Sequence, residues 1–444
     1  MLRVPIFVSA TFPTSNVIRT YLCILVVLTC KVHVIGQGVP TPAPLPNGEM
    51  AALVQNAVPK KIEYFDAVES HFDRLINYSL DHYGRTRSGA WASSIDIASN
   101  ELATWVNDTD LKGYVAGAHL YWDQPTLLAA KELGSRSGCK CYPDSADSYI
   151  RSYLHLGGSF NDLVTSRQRF LNALTDQVQV LDSQSQVLMV HTPAWEMFWE
   201  KDPATINDLI RNLADQKHVT ASETAVAANS LLWLMQEADD DSVLTEKLLK
   251  LAEGFRVDND NHSGALVFAA VLVQAFQASS QLRFKEIAME HASQSLQMLN
   301  PQWSTLTLDQ LPVRQAEACL TIYTGTTPTD DVKTEVVRFV SSCADAIKRN
   351  LGGDKSESVT AENYGRAIHF LERASKQLQK PEYAKIAREL ADESINSLFD
   401  RDSSMFRSRI GGDRCDAADG PGWLFLALLG LDGNDATNGS ALKF

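Results

Sequence analysis

The 444-residue sequence lacks the short motifs that identify several common enzyme classes. It contains no glycine-rich phosphate loop, no Gly-x-Ser-x-Gly segment and no His-Glu-x-x-His segment. These absences argue against a P-loop nucleotide hydrolase, a serine hydrolase of the α/β type and a zinc protease of the His-Glu-x-x-His type. Its seven cysteines and ten histidines form no cluster with zinc-site spacing, so we predict no metal ligands. No residue pattern defines a cofactor.

Positive charge is also scarce. Lysine and arginine together number 40 against 54 acidic residues, which gives a formal net charge of −14. An acidic chain is repelled by nucleic acid and by anionic membrane surfaces, so we expect no nucleic-acid partner. A small anionic substrate remains compatible, because a few local arginines can hold a carboxylate.

The N-terminal region has no hydrophobic run long enough to cross a bilayer. Its apolar segment, Tyr21–Thr29, is far shorter than the roughly 20 residues that a spanning helix needs. Met1–Gly36 contains basic residues and no acidic ones, which is typical of a secretory signal peptide. We therefore predict a signal peptide over residues 1–36, a secreted or periplasmic protein, and no membrane span in the mature chain. Lipidation at Cys30 and a retained membrane anchor are the alternatives.

A proline-rich stretch follows the predicted signal peptide. Its composition favours an extended spacer, and we assign a linker to residues 37–58. No break in composition interrupts the chain after about residue 60, which indicates one large domain over residues 59–432. Residues 433–444 form a predicted flexible tail.

The dominant positive feature is a repeated pair of helices, the first apolar all round and the second amphipathic. Ala265–Ala278 and Arg283–Leu299 show it most clearly. A helix that is apolar all round is buried, whereas one with a polar face lies at the surface. The pattern predicts an all-α fold in which an inner ring of helices is wrapped by an outer ring. The same pair recurs, at turn intervals of about 40–50 residues, as Ala316–Tyr323 with Val332–Asn350 and as Tyr364–Gln377 with Tyr383–Leu398.

The remaining segments are also predicted to be helical. We assign helices to Ile62–His82, Asp96–Trp105 and the polar segment Phe160–Leu181. We find no convincing run of strands. The apolar segment Gly420–Leu431 is predicted to be the helix that closes the ring. A closed ring argues against an open helical solenoid that binds other proteins.

Five cysteines remain after removal of residues 1–36, and their odd number leaves at least one thiol free. Cys139 and Cys141 are separated by one residue, and we expect them to be too close to bridge each other easily. Cys319 and Cys343 lie on successive helices, and their pairing stays open.

The longer connections between helical pairs hold most of the unusual residues. His191 and Glu196 lie five residues apart and could act as an acid and base pair, with helix capping and packing as the alternative. Tyr364 and Asp419 lie at the starts of other inner helices and complete the predicted catalytic residues. Asp258–Asn261 resembles part of a calcium loop but lacks the downstream glutamate, so no calcium site is predicted.

Aromatic and basic residues in the same connections are candidates for binding substrate. Trp195 and Trp122 offer flat faces of the type that stack on sugar rings, although a place in the core is the alternative for both. The arginines could hold carboxylates, with solvated loop charge as the alternative. The predicted substrate-binding residues are Trp195, Arg85, Arg256, Arg407, Trp122 and His82.

Short segments across residues 60–431 resemble one known group of proteins. The matching segments are His82-Tyr83-Gly84 with Ile95-Asp96, Gln124-Pro125, the stretch from His191 to Pro203, Met405-Phe406-Arg407, and Ala418-Asp419-Gly420 with the apolar run after it. Their order and composition are similar to those of secreted bacterial (α/α) toroid proteins of the six-hairpin glycosidase-like or pectate-lyase-like group. The resemblance implies a complete or incomplete six-hairpin toroid with a cleft that faces carbohydrate. It also implies glycoside hydrolysis or polysaccharide β-elimination.

Two functions follow from these observations. The first is an enzyme that acts on an extracellular, possibly uronate-containing polysaccharide or oligosaccharide. Hydrolysis would need two carboxylates, Glu196 with Asp419 or Asp258. Elimination would need a base, His191 or Tyr364, and an arginine on the uronate; it is favoured because histidine, tyrosine and arginine outnumber glutamate in the connections.

The second function is binding without catalysis. The sequence departs from the group's pattern at Tyr153–Gly158 and at His218–Ser222, where polar cleft residues are replaced. A non-catalytic paralogue that binds a glycan or a protein is therefore the alternative, and the oligomeric state is undefined.

Overall fold

The computed structural model describes most of the chain after residue 61. The described residues are 62–103, 117–164, 169–180, 191–216, 218, 220–237, 241–258, 260–299, 301–325, 330–353 and 355–432. The chain divides into two units, residues 1–61 and 62–444, and all described residues belong to the second. The predicted signal peptide, the linker and the C-terminal tail lie outside the described residues.

Fourteen α-helices occur in the described part of the chain, and seven of them exceed 16 residues. In chain order they are α1 (Tyr64–Tyr78), α2 (Leu120–Ser137), α3 (Cys141–His155), α4 (Trp195–Trp199), α5 (Pro203–Asp215), α6 (Ala221–Glu237), α7 (Asp241–Gly254), α8 (His262–Ser279), α9 (Leu282–Met298), α10 (Val313–Gly325), α11 (Asp330–Asn350), α12 (Ala361–Gln377), α13 (Pro381–Leu398) and α14 (Pro421–Asp432).

The even-numbered helices form the inner ring and the odd-numbered helices lie outside it. Helices α6, α8, α10, α12, α14 and α2 pack on one another in that order, and each also packs on an odd-numbered helix. Helix α14 contacts both α2 and α1, so the last inner helix closes the ring against the start of the chain. Among the described residues this gives six full helical pairs and one pair, α4 with α5, whose inner helix has only five residues. The predicted all-α toroid is confirmed.

Residue composition explains which helices lie inside. In α14, Leu424, Phe425, Leu428 and Leu429 are all fully buried, as expected for a helix that is apolar on every side. Two glycines allow the closing helix to approach its neighbours. A Cβ atom at Gly422 would lie 2.2 Å from the backbone nitrogen of Thr126 in α2.

The same close packing occurs on the other side of α14. A Cβ atom at Gly365 of α12 would lie 2.4 Å from the carbonyl carbon of Trp423. Any larger residue at Gly422 or Gly365 would push the inner helices apart, because a protein interior has no spare volume to accept it.

Seven short β-strands accompany the helices in the described residues, so the prediction of no strands is wrong. They are β1 (Ser94–Asp96), β2 (Gly117–Ala118), β3 (Arg169–Asn172), β4 (Gln177–Val180), β5 (Phe399–Asp400), β6 (Met405–Phe406) and β7 (Arg414–Asp416). All pairings are antiparallel: β1 with β7, β2 with β3, β3 with β4, and β5 with β6. The pairing of β1 with β7 joins the start of the described chain to the connection before α14.

Two predicted helices are wrong. The segment predicted as Asp96–Trp105 begins in β1, and the segment predicted as Phe160–Leu181 contains a 3₁₀ turn, Phe160–Leu163, followed by β3 and β4. Asp176 has a left-handed φ of 55° in the β3–β4 turn, which stops a helix. The Asn172 side chain accepts hydrogen bonds from the backbone of Leu174 and Thr175 and fixes that turn.

One cysteine prediction is also wrong. Cys139 and Cys141 form a disulfide, since the turn before α3 brings their Cα atoms to 5.3 Å despite the single residue between them. Cys319, Cys343 and Cys415 are buried and form no disulfide among the described residues. Burial raises the pKa of all three thiols, which keeps them protonated.

One described helix, α8, is long and apolar enough to cross a membrane by length and composition. It packs on α6, α9 and α10 within the inner ring.

Candidate functional site

The inner ring encloses a cavity with two lobes. The first, here called the cationic lobe, has a volume of about 510 Å³ and is lined by α6, α8, α10 and α12. The second, here called the amide lobe, has a volume of about 780 Å³ and is lined by α2, α4, α6 and α8. The lobes meet at residues that line both of them: His191, Thr192, Asn229, Gln274 and Trp423. Both volumes lie in the range of small-molecule sites.

Charged side chains enter the cationic lobe from two inner helices, α10 and α12. Arg314 and Glu317 are three residues apart on α10, and His369, Arg373 and Lys376 are four and three residues apart on α12. These spacings place each set on one face of its helix. Three cations and one carboxylate therefore line a cavity in a chain that carries a net negative charge.

Glu317 and His369 form a hydrogen-bonded pair in the wall of this lobe. His369 Nδ1 lies 2.8 Å from Glu317 Oε1, and the Glu317 side chain is 3% exposed. The second carboxylate oxygen of Glu317 is buried without a hydrogen-bond partner in the described residues. A carboxylate on Nδ1 selects the tautomer in which Nε2 carries the lone pair, so His369 is oriented as a base.

Arg314 stays charged in the cationic lobe. Burial, together with the neighbouring charge of Arg366, lowers the pKa of Arg314 to about 10, which still leaves it protonated near neutral pH. Arg373 Nη2 donates a hydrogen bond to Thr321 Oγ1 at 3.1 Å, which orients its guanidinium along the wall. A cavity with oriented, partly desolvated guanidinium groups favours an anionic ligand.

A second cluster lies where the two lobes meet. Arg366 Nη2 lies 2.9 Å from His191 Nδ1, and Arg366 Nε donates to Glu362 Oε1 at 2.5 Å. The same guanidinium lies 4.3 Å above the indole ring of Trp423. Burial opposes ionisation of Glu362, but its neighbours Arg366 and His191 favour the carboxylate and lower the pKa of Glu362 to about 2. The cluster fixes His191 at the boundary of the lobes.

Of the four residues predicted to be catalytic, the structure places two at the cavity. His191 lines both lobes and Glu196 lines the amide lobe, where its side chain is exposed. Tyr364 is fully buried on the opposite side of α12, because it lies two residues before Arg366, and its hydroxyl donates to Glu393 Oε1 on α13. Asp419 accepts hydrogen bonds from Arg409 and Ser408 and lines neither lobe.

Most of the predicted substrate-binding residues lie away from the cavity. Trp195 borders the amide lobe, but its ring is fully buried and its Nε1 donates to Ser230 Oγ at 3.0 Å, so it is a core residue. Arg256 is exposed and donates to the carbonyl oxygens of Glu253 and Phe255. Arg407 forms an ion pair with Asp400 at 2.6 Å.

The other three predicted binding residues line neither lobe. His82 is exposed and stacks on Tyr83, with ring centroids 4.2 Å apart. Arg85 is exposed, and its backbone nitrogen donates to Asp176 Oδ2. Trp122 is half-buried next to Tyr121, and its ring lies 6.5 Å from that of His191.

In the part of the chain that the structure describes, no group of three His, Cys, Asp or Glu side chains could hold a metal ion. Asp258, from the calcium-like segment, accepts backbone hydrogen bonds from Asp260 and Asn261 instead.

Sequence reasoning missed the residues that line the cationic lobe because it searched the connections rather than the inner helices. Arg314, Glu317, His369 and Arg373 all lie inside α10 and α12. The sequence does contain a pattern that indicates them: charged residues recur at intervals of three and four on helices that the repeat assigns to the interior. Buried charges need a partner or a function, so such a stripe marks a cavity wall.

Comparisons with known proteins find structural likenesses at low sequence identity. No protein-family model matches the sequence, and no curated protein matches it. A Listeria innocua protein, Lin0763, is 8% identical with a TM-score of 0.46, covering 83% of this chain and 97% of its own. A family 76 glycoside hydrolase from a bovine Bacteroides thetaiotaomicron strain is 11% identical with a TM-score of 0.46, covering 84% and 78%.

A glycosyl hydrolase of family 88 from Bacteroides vulgatus is also similar in structure. It is 9% identical with a TM-score of 0.40, and the match covers 70% of this chain and 92% of that one. The assignment of this chain to an all-α toroid rests on its own ring of helical pairs. At these identities the comparisons carry no argument about activity.

Proposed function

We propose that the protein is an enzyme that binds an acidic sugar unit of a polysaccharide in the cationic lobe and cleaves the chain by β-elimination. The observation that carries this proposal is the Glu317–His369 pair, which lies in the same cavity wall as Arg314, Arg373 and Lys376. A base next to several cations is what elimination at a uronate requires, because the proton removed lies next to the carboxylate. The cations would hold that carboxylate and stabilise the charge that develops on it.

The reaction balances with the residues of this lobe. His369 Nε2 takes the proton from C5 of the uronate, the bond from C4 to the glycosidic oxygen breaks, and a double bond forms between C4 and C5. The departing oxygen takes a proton back from His369, which returns to its neutral form. Glu317 would stabilise the transient imidazolium through the Nδ1 hydrogen bond.

Hydrolysis is less well supported by the arrangement of carboxylates. It needs two carboxyl groups on either side of the scissile bond, about 5–10 Å apart. Among the described residues lining the cationic lobe, Glu317 is the single carboxylate, and it is hydrogen-bonded to His369. Neither Asp419 nor Asp258, the predicted partners of Glu196, lines a lobe.

The proposal also includes export from the cytoplasm, because an enzyme encounters large polysaccharides outside it. It is supported by the composition of Met1–Gly36 and by the disulfide between Cys139 and Cys141, since disulfides persist in oxidising compartments. N-terminal sequencing of the mature protein recovered from culture medium or periplasm tests it. An intact N-terminus on protein confined to the cytoplasm would contradict export.

The activity is tested by incubating the protein with a panel of uronate polysaccharides and following the absorbance of unsaturated ends. We expect His369→Ala to lower the rate by about 10²–10⁴-fold while leaving binding of oligosaccharide in place. His155→Ala, an exposed histidine at the end of α3, is the matched control and should leave the rate unchanged.

Two results would overturn the proposed elimination. Release of reducing ends without unsaturated ends would indicate hydrolysis. Binding of uronate oligosaccharides without turnover of any polymer would indicate the non-catalytic alternative.

A further inference from the structure

The inner ring is incomplete at one position. The inner helices α2, α6, α8, α10, α12 and α14 have 12 to 18 residues, whereas α4 has five. The space that a full inner helix would occupy lies between α2 and α6, and the amide lobe extends there, beside Leu128 and Lys131 of α2 and Trp233 of α6. The missing turns of α4 therefore create a side extension of the central cavity.

The chemistry of this extension differs from that of the cationic lobe. Among the described residues that line it there is no arginine; its formal charges are one lysine and three glutamates, Lys131, Glu132, Glu196 and Glu237. This balance disfavours a second anionic group. The remaining polar side chains are mainly carboxamides, including those of Gln236, Gln274 and Gln277.

Two of these amides are available to a ligand. The side chains of Gln274 and Gln277 make no hydrogen bond to any described residue, whereas Gln124 is already bonded to the backbone of Tyr121 and Ala194. Trp233, half-buried against Trp199 with ring centroids 5.4 Å apart, supplies an aromatic wall. Amides offer both donors and acceptors, which match hydroxyl groups, and aromatic rings pack on the C–H faces of sugars.

We propose that the amide lobe binds a neutral sugar residue adjacent to the acidic sugar held in the cationic lobe. The two lobes are continuous through His191, Asn229 and Gln274, so one oligosaccharide can occupy both. The substrate is then a heteropolysaccharide in which uronate and neutral hexose are neighbours, rather than a homopolymer of uronate. This inference rests on the proposed function for the acidic half of the ligand.

The test uses tetrasaccharides of three compositions: one contains glucuronate only, one alternates glucuronate with neutral hexose, and one contains neutral hexose only. Binding is first screened on an array of tetrasaccharides with defined linkages. The tetrasaccharides that bind are then measured by titration calorimetry. The full-length protein and three variants are compared. Trp233→Ala changes the amide lobe, Arg373→Met changes the cationic lobe, and Trp303→Ala is a matched control, because Trp303 is half-buried against Phe339 outside both lobes.

We expect the alternating tetrasaccharide to bind most tightly, with Trp233→Ala weakening it about tenfold and Trp303→Ala leaving it unchanged. Different outcomes overturn the neutral subsite and the acidic one. If the glucuronate tetrasaccharide binds as tightly as the alternating one and Trp233→Ala has no effect, the neutral subsite is overturned and the proposed function stands.

If the neutral tetrasaccharide binds in a Trp233-dependent way while Arg373→Met changes nothing for any ligand, the acidic half of the proposal is overturned and the neutral subsite stands. Absence of binding by all three compositions, in protein shown to be folded by circular dichroism, overturns both.

Discussion

The guanidinium group of Arg366 lies between the carboxylate of Glu362 and the indole ring of Trp423. It donates to Glu362 Oε1 at 2.5 Å and lies 4.3 Å from the ring centroid of Trp423. The contact with Trp423 joins α12 to α14, the helix that closes the ring. The Nη2 atom of Arg366 lies 2.9 Å from His191 Nδ1. A single side chain thus connects ring closure to the boundary of the two cavity lobes.

Removal of this guanidinium should destabilise the protein and free Glu362. We expect Arg366→Ala to lower the free energy of unfolding by an amount at or below the roughly 3–5 kcal/mol found for fully buried ion pairs, because the Glu362 side chain keeps 24% of its exposure. Denaturant unfolding measures this. The double variant Arg366→Ala, Glu362→Gln should recover part of the loss; no recovery would show that the lost packing, and not the stranded carboxylate, sets the cost.

Two buried carboxyls should make stability depend on pH near neutrality. Burial raises the pKa of Asp123 to about 6, despite hydrogen bonds from Ser93 and Tyr149, and burial with the nearby charge of Asp419 raises that of Asp416 to about 7. The folded chain therefore binds these protons more tightly than the unfolded chain. Their contribution to stability is complete below the usual value of 3.8 and is lost as the pH rises through about 6 and about 7.

The difference in stability between the natural protein and Asp416→Asn isolates this effect. Glu362 titrates well below the window, and the buried histidines contribute equally to both proteins. We expect the natural protein to lose about 1 kcal/mol relative to the variant between about pH 6 and about pH 8. A difference that does not change with pH would mean that Asp416 titrates at an ordinary value.

Ring closure should depend on the small size of Gly422. Its Cβ position lies 2.2 Å from the Thr126 backbone, so we expect Gly422→Ala to lower the free energy of unfolding by about 1–3 kcal/mol. Gly430→Ala is the matched control in the same helix, since that position is exposed with nothing within 4 Å, and it should stabilise the protein by about 0.5–1 kcal/mol. Thermal unfolding measures the change in stability of each variant. If Gly422→Ala leaves the stability unchanged, α2 and α14 can separate without cost.

Glu317 should act through His369 rather than on the substrate. We expect Glu317→Gln to lower kcat with little change in KM, because the amide cannot stabilise the imidazolium but leaves the carboxylate-binding cations in place. Initial rates across pH provide the measurement, and the acidic limb of the profile, where the base becomes protonated, should move. Should KM rise with kcat unchanged, Glu317 would belong to substrate binding instead.

The sequence determined which helices lie inside. The apolar run of α8 and the amphipathic α9 specify their burial by composition alone, because a helix without a polar face has no stable position at the surface. The closing role of α14 follows for the same reason. Local propensity was a poorer guide in the polar segment before α4, where a turn at Asp176 and strand pairing replaced the predicted helix.

Only the tertiary structure decided which polar residues meet. His369 and Glu317 lie 52 residues apart on different inner helices, and their contact depends on how α10 and α12 are rotated about their axes. The same rotation turns Tyr364 outward to Glu393, although it lies only five residues before His369. Helical periodicity fixes which residues share a face, but packing against neighbours fixes where that face points, and the cavity exists only once the ring has closed.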